Sequence, residues 1–176
     1  MSIADALKVV DLKEFEDRRK FGGRNVEGFS APLPPVNLTN EEVKRYSVVF
    51  DQIAPRQWFW PNFTPEEVAC KGTGLVPINY RPFIETMDAL QALRTEMRAP
   101  FFLTSMYRSP AYNAHVGGAR RSQHQQGRAV DISTFNLDRE RLVRLAREIG
   151  FRGIGFYKTF IHLDTRNGRS TTWGRP

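Results

Sequence analysis

The chain has 176 residues, 40% of them hydrophobic and 13 of them Phe, a composition that excludes a disordered or fibrous protein and allows one domain with an appended arm. The net charge of +7 favours anionic partners such as cell-wall polymers, nucleic acid or lipid headgroups, with an ordinary solvated surface as the alternative. Cys70 is the sole cysteine, which excludes an internal disulfide and a Cys-type zinc cluster and leaves a buried small hydrophobe.

The start, "MSIADALKVVDLKEFEDRRK", carries acids and no uninterrupted apolar stretch, so it is expected not to be a signal peptide. No later segment reaches bilayer length. Synthesis in a cytoplasm is the resulting expectation. Residues 1–60 read as an N-terminal arm, broken by Gly-Gly and Pro-Pro, with a helix near 40–53 announced by Thr39 or Asn40 as N-cap and Pro55 as stop. Residues 61–176 read as the main domain. Ahead of it, the aromatics of "RQWFWPNF" are either core or a platform for a carbohydrate or partner.

Thr64, Pro65 and Glu67 form a capping-box pattern for a short helix that stops near Gly72. Phe83, Met87, Leu90 and Leu93 recur at helical spacing in "RPFIETMDALQALRTEMR", predicting the longest helix, packed on a sheet. "PFFLTS" reads as a strand, and residues 106–127 as a long functional loop. "RAVDIST" alternates as a strand, with Val130 and Ile132 on one face and Ala129, Asp131 and Ser133 on the other. Leu142, Leu145, Ala146 and Ile149 mark an amphipathic helix closed by Gly150. "GIGFY" and "FIHLDT" predict a hairpin.

The chain has three histidines. Asp131 sits between core residues in its strand, where an unpaired carboxylate would be costly, so it needs a partner. His124, brought back by the turn at Gly127, and His162, flanked by Ile161 and Leu163, are the candidates. Two histidines and one carboxylate leave a tetrahedral zinc one open position. The alternative is a hydrogen-bonded structural set.

"SQHQQGRAVD" resembles the Ser-x-His-x-x-Gly-x-Ala-x-Asp signature of zinc murein peptidases of the D-alanyl-D-alanine carboxypeptidase family, which share a core with the hedgehog signalling domain. "FTPEEVACKGTG", "FFLTSMYRSPAYNAHVGGARRSQH", "GIGFYKTFIHLDT" and Trp173 resemble, in order, blocks of a subgroup found in bacteria and phages. The resemblance runs from Phe63 to Trp173 and leaves residues 1–60 outside.

It implies an α+β fold, a small antiparallel sheet with packed helices, holding one Zn2+ through His124, Asp131 and His162. It also implies that Arg108 binds substrate or polarises its carbonyl, that Ser122 supports the ligands by a hydrogen bond, and that Gly127 and Ala129 are small for steric reasons. Tyr107, Tyr112 and Asn113 are expected to shape the cleft. His115 is a surface loop residue or a cleft contact and proton donor, and Trp173 a packing residue. Relatives carry an acid three residues before the last ligand or a histidine two before it; here Thr159 and Phe160 stand there. Asp164 is then the expected proton acceptor, or else it orients a ligand and pairs with an arginine such as Arg166.

The implied activity is hydrolysis of an amide in the peptide stem or cross-link of peptidoglycan, by a phage lysin released through a holin or by a virion component whose arm docks on tail or hub proteins. Two alternatives stand beside it. One is a non-catalytic zinc-containing wall-binding or structural module. Nucleic-acid binding, the other, rests on charge alone and has no motif.

Overall fold

The structure, a computed structural model, describes residues 38–174, and the amphipathic and Pro-Pro segments expected in the arm lie outside the described residues. Helices α1 (Asn40–Arg45), α2 (Pro65–Val68), α3 (Arg81–Met97), α4 (Pro110–His115) and α5 (Arg139–Ile149) alternate with strands. The strands are β1 (Val48–Val49), β2 (Leu75–Val76), β3 (Leu103–Ser105), β4 (Ala129–Ser133), β5 (Gly153–Phe156), β6 (Phe160–Asp164) and β7 (Thr171–Gly174). The expected α+β class is the observed one.

Capping decides where the short helices begin. Thr39 with Glu42, and Thr64 with Glu67, form reciprocal capping boxes, each worth about 1 kcal/mol. The helix expected near 40–53 is shorter than its signals suggested. It ends at Tyr46, because the β-branched Val48 and Val49 extend and pair with Val76 and Leu75 of β2. The segment before residue 61 also shares the domain's core: Val43 is fully buried and Trp60 is 3% exposed. The aromatics of "RQWFWPNF" thus divide, with Trp60 in the core and Phe59 exposed.

The main sheet has the order β3-β4-β6-β5-β7. Its neighbours run antiparallel except β5 and β7, which are parallel. That last strand was not foreseen, since "STTW" is polar and exposed at the sheet edge. One face of the sheet is apolar: Val130, Ile132, Ile154, Ile161 and Leu163 join Phe83, Met87 and Leu90 of α3 and Leu142, Leu145 and Ala146 of α5 in a single cluster. Truncating any of these large side chains to Ala would cost about 2–5 kcal/mol. The opposite face carries Asp131, His162 and Asp164, so period-two alternation separates the core from the polar residues within the same strands.

The stretch expected as a long loop is partly ordered into α4 and a 3-10 turn over Gln123–Gln126. Ser109 caps α4 by accepting from Tyr112 N, and buried Asn113 donates from Nδ2 to Ala119 O at 3.1 Å. Among the described residues no helix is long and apolar enough to cross a membrane.

Candidate metal centre

Asp131 of β4 and His162 of β6 are direct cross-strand partners, which places their side chains side by side on the polar face. His124 arrives from the 3-10 turn. Ser122 opens that turn by accepting from His124 N at 3.3 Å, and Gly127 closes it at φ 61°, a left-handed conformation that favours glycine. A Cβ at Gly127 would also come within 3.0 Å of Phe83. The turn is braced from the N-terminal side: Asn40 Nδ2 donates to Gln125 Oε1 at 3.1 Å and Gln126 Nε2 donates to Asn40 Oδ1 at 2.5 Å. Sequence reasoning missed this brace, since nothing local links residues so far apart.

Three atoms converge. His124 Nε2 lies 3.2 Å from Asp131 Oδ1 and 3.2 Å from His162 Nδ1, and His162 Nδ1 lies 2.8 Å from Asp131 Oδ1. The three residues are 3–9% exposed. Their remaining polar atoms are engaged elsewhere. His124 Nδ1 lies 2.6 Å from the Met106 carbonyl, which can only accept, so Nδ1 carries the proton and Nε2 presents a lone pair. His162 Nε2 is 3.1 Å from Asp164 Oδ2 and donates to that carboxylate, baring Nδ1. Arg108 Nη2 donates to Asp131 Oδ2 at 2.6 Å, which leaves Oδ1 facing the imidazoles.

Three electron-rich atoms thus meet in a buried space, an arrangement that a cation stabilises and that neutral packing does not. Ligands about 2.0–2.1 Å from a tetrahedral Zn2+ stand roughly 3.3 Å apart, close to the observed 2.8–3.2 Å. The residues therefore fit a zinc ion. Among the described residues they are the one group of His, Cys, Asp or Glu whose ligand atoms come together in this way.

Without an ion, the same contacts set how the three groups titrate. Burial alone would push the Asp131 carboxyl up, but the imidazoles of His124 and His162 beside it hold it well below the usual carboxylate range. Burial drives His124 down, outweighing the pull of Asp131, so its imidazole stays neutral and free to ligate. For His162 burial also works downward, yet Asp131 and Asp164 together raise it.

For Asp164 the two expected roles call for different surroundings. It is fully buried, and its carboxylate sits on the Nε2 side of the His162 ring, away from the converging atoms. Arg166 closes the other side: Nε donates to Oδ1 at 2.7 Å, Nη2 to Oδ2 at 2.5 Å and the backbone N to Oδ1 at 3.1 Å. Burial raises the Asp164 pKa less than Arg166 and His162 lower it, leaving the carboxylate well below its ordinary range. The Asp164 carboxylate is thus engaged by the His162 ring and by Arg166 and is turned from the converging atoms, the arrangement expected of a residue that orients a ligand and pairs with an arginine.

The other expected residues divide. Arg108 and Ser122 are at the site. Tyr107 is 1% exposed within the core cluster, where burial pushes its phenol up to about 12; it is a core residue and not a cleft wall. Asn113 ties α4 to the following loop. His115 ends α4, exposed, with its ring tilted against Tyr112 at 6.3 Å, and lies outside the converging group. Trp173 packs 5.3 Å from the His162 ring. A groove lined by Arg139, Val143, Arg147, Phe156 and Thr172 contains none of the ligand residues.

The Peptidase M15 family pattern matches residues 61–164, more than half of the chain and all three converging side chains. This chain belongs to the Peptidase M15 family. It is also similar to the zinc D-Ala-D-Ala carboxypeptidase of Streptomyces albus G, 33% identical over 95 residues, a match that covers 52% of this chain and 37% of that protein. The chain therefore spans well under half the length of the curated relative that it matches, and the family residues 61–164 depend for their packing on α1 and Trp60, which precede them.

Proposed function

We propose that this protein is a zinc-dependent peptidase that hydrolyses an amide bond in the peptide stem or cross-link of peptidoglycan. The observation that carries the reading is the convergence of three bare donor atoms from His124, Asp131 and His162, each with its other polar atom already bonded, in a chain of the Peptidase M15 family. The similar Streptomyces albus G protein, a zinc D-Ala-D-Ala carboxypeptidase, supports the wall peptide as substrate. The protein's positive charge suits a wall rich in carboxylates.

When bound, zinc supplies a Lewis acid and lowers the pKa of water at its open position. The protein's own residues prepare that position. Met106 O and Asp164 hold the two imidazoles with their lone pairs inward. Arg108, anchored by Ser105 Oγ at 2.8 Å and by Asp131, places a guanidinium beside the site, where it favours negative charge developing on a carbonyl oxygen. Core packing behind the strands keeps these groups preorganised.

The finer reading is a phage lysin or a virion-associated wall-degrading protein, supported by the likeness of its sequence blocks to a subgroup found in bacteria and phages. The N-terminal arm would then dock on a tail or hub protein. Peptide mass spectrometry of purified virions tests this reading, and absence of the protein from them removes the virion form.

A second reading is a non-catalytic zinc-containing module that binds wall peptides. Thr159 in the place of an acid, with Asp164 committed to His162 and Arg166, favours it. Mass spectrometry of peptidoglycan fragments incubated with the protein, as prepared, after chelation and with zinc restored, separates the two. New fragments that vanish on chelation and return with zinc establish the peptidase and identify its bond. Intact fragments with a folded, zinc-loaded protein establish the binding module.

A further inference from the structure

Asp164 has room for its carboxylate because its cross-strand neighbours are Ala129 and Gly153; a Cβ on Gly153 would overlap the carboxylate itself. Arg166 fills the remaining approach. Its fork takes both oxygens of Asp164, and its Cζ lies over the Trp173 ring, 5.1 Å from the centroid. Trp173 is itself fixed. It stands opposite Gly155, where a Cβ would come within 2.6 Å of its ring, and its Nε1 donates to Tyr157 OH at 3.1 Å.

An unbroken chain of contacts therefore runs from Trp173 through Arg166 and Asp164 to Nε2 of His162. A surface arginine paired with a carboxylate ordinarily contributes little. This one differs because its partner is fully buried and also accepts a hydrogen bond from the ring of His162. The fork, with the guanidinium held over the Trp173 ring, stops the carboxylate from rotating, which a lysine's single ammonium cannot do.

We propose that Arg166 is a positioning residue for metal uptake: by clamping Asp164 against Trp173 it fixes the His162 ring with Nε2 outward and Nδ1 aimed at the ion. The inference rests on the metal reading above but not on catalysis.

The test measures Zn2+ affinity by competition with a chelating indicator for the wild type, Arg166→Gln, Asp164→Asn and the double variant, and records the Co2+ absorption spectrum of each. Arg166→Gln is expected to weaken Zn2+ binding by about tenfold or more and to alter the Co2+ bands, with Arg166→Lys recovering only part of the loss. In the Asp164→Asn background the same change is expected to cost less than about twofold, because its route to the metal is already cut. Wild-type affinity in Arg166→Gln, or an equal loss in both backgrounds, overturns the proposal. Should Arg166→Gln not fold, Arg166→Lys decides: wild-type affinity and spectrum refute the clamp, and weakened binding upholds it. A wild type that takes up no zinc overturns the metal reading and this inference together, whereas one that binds zinc but cuts no wall fragment overturns only the peptidase.

Discussion

Gly153→Ala adds a single methyl, on a strand that contributes no ligand, and is expected to damage the metal centre. The backbone at Gly153 is not in the left-handed region, so alanine would on chain entropy alone stabilise by about 0.4–1 kcal/mol. Against this, the new Cβ overlaps all three terminal atoms of the Asp164 side chain, and Asp164 has no exposed surface into which to retreat. The carboxylate must leave its place, breaking the bonds to His162 Nε2 at 3.1 Å and to Arg166 at 2.5 and 2.7 Å. Disrupting a buried pair costs about 3–5 kcal/mol, and Arg166 is exposed by only 25%, so most of that cost stands. The clash outweighs the entropy gain, for a net loss of about 2–4 kcal/mol. For a domain of this size that corresponds to a Tm lower by roughly 4–16 °C. The assays are thermal unfolding of the metal-free protein by circular dichroism and zinc competition on the folded fraction. A Tm within about 2 °C of wild type together with unchanged zinc affinity would refute the claim that β5 clears space for Asp164.

Metal removal should itself destabilise the protein: zinc at a free concentration 100 times its Kd adds about 2.7 kcal/mol to the folded state, and chelation should return the lower Tm. No difference between the two forms would mean that the ligand atoms do not hold an ion. His124→Ala and His162→Ala should each abolish stoichiometric zinc retention, read by elemental analysis after gel filtration. For acid, the sign follows from the two depressed carboxylates. Asp131 and Asp164 have folded pKa values below the ordinary 3.8, so the stability they provide is full above that value and is lost as pH falls through their folded values. Metal-free unfolding free energy should therefore drop below about pH 4, and Asp164→Asn should flatten that drop. Thr64→Ala removes one capping box and should cost about 1 kcal/mol by urea denaturation without changing zinc affinity, which makes it a control for general destabilisation.

The three converging positions were legible because each belongs to a pattern with a physical period. Asp131 and His162 interrupt apolar strands at alternating positions, and a buried charge there demands partners. Gly127 marks the turn that returns His124. The helices α3 and α5 were legible from their apolar spacing. The stretch 106–127 was not, because a helix as short as α4 has too few internal bonds to persist alone and depends on the Ser109 cap and the Asn113 anchor. Asp164 was legible as lying on the site face, since two residues along a strand return to the same side, but its direction was not. That was decided by Arg166 on one side and by the missing side chain of Gly153 on the other, a residue with no apparent chemistry of its own.

By itself, then, the order of residues determined which strands carry the converging side chains, which faces are apolar and where the short helices α1 and α2 begin, because these follow from local period and local hydrogen bonding. Only the tertiary structure decided that β7 pairs in parallel with β5, that α1 braces the turn bearing His124, and that the Asp164 carboxylate faces His162 Nε2 and Arg166. Those outcomes depend on contacts between residues distant in the chain, whose energies come from packing and burial once the strands are aligned and not from any propensity of the segments alone.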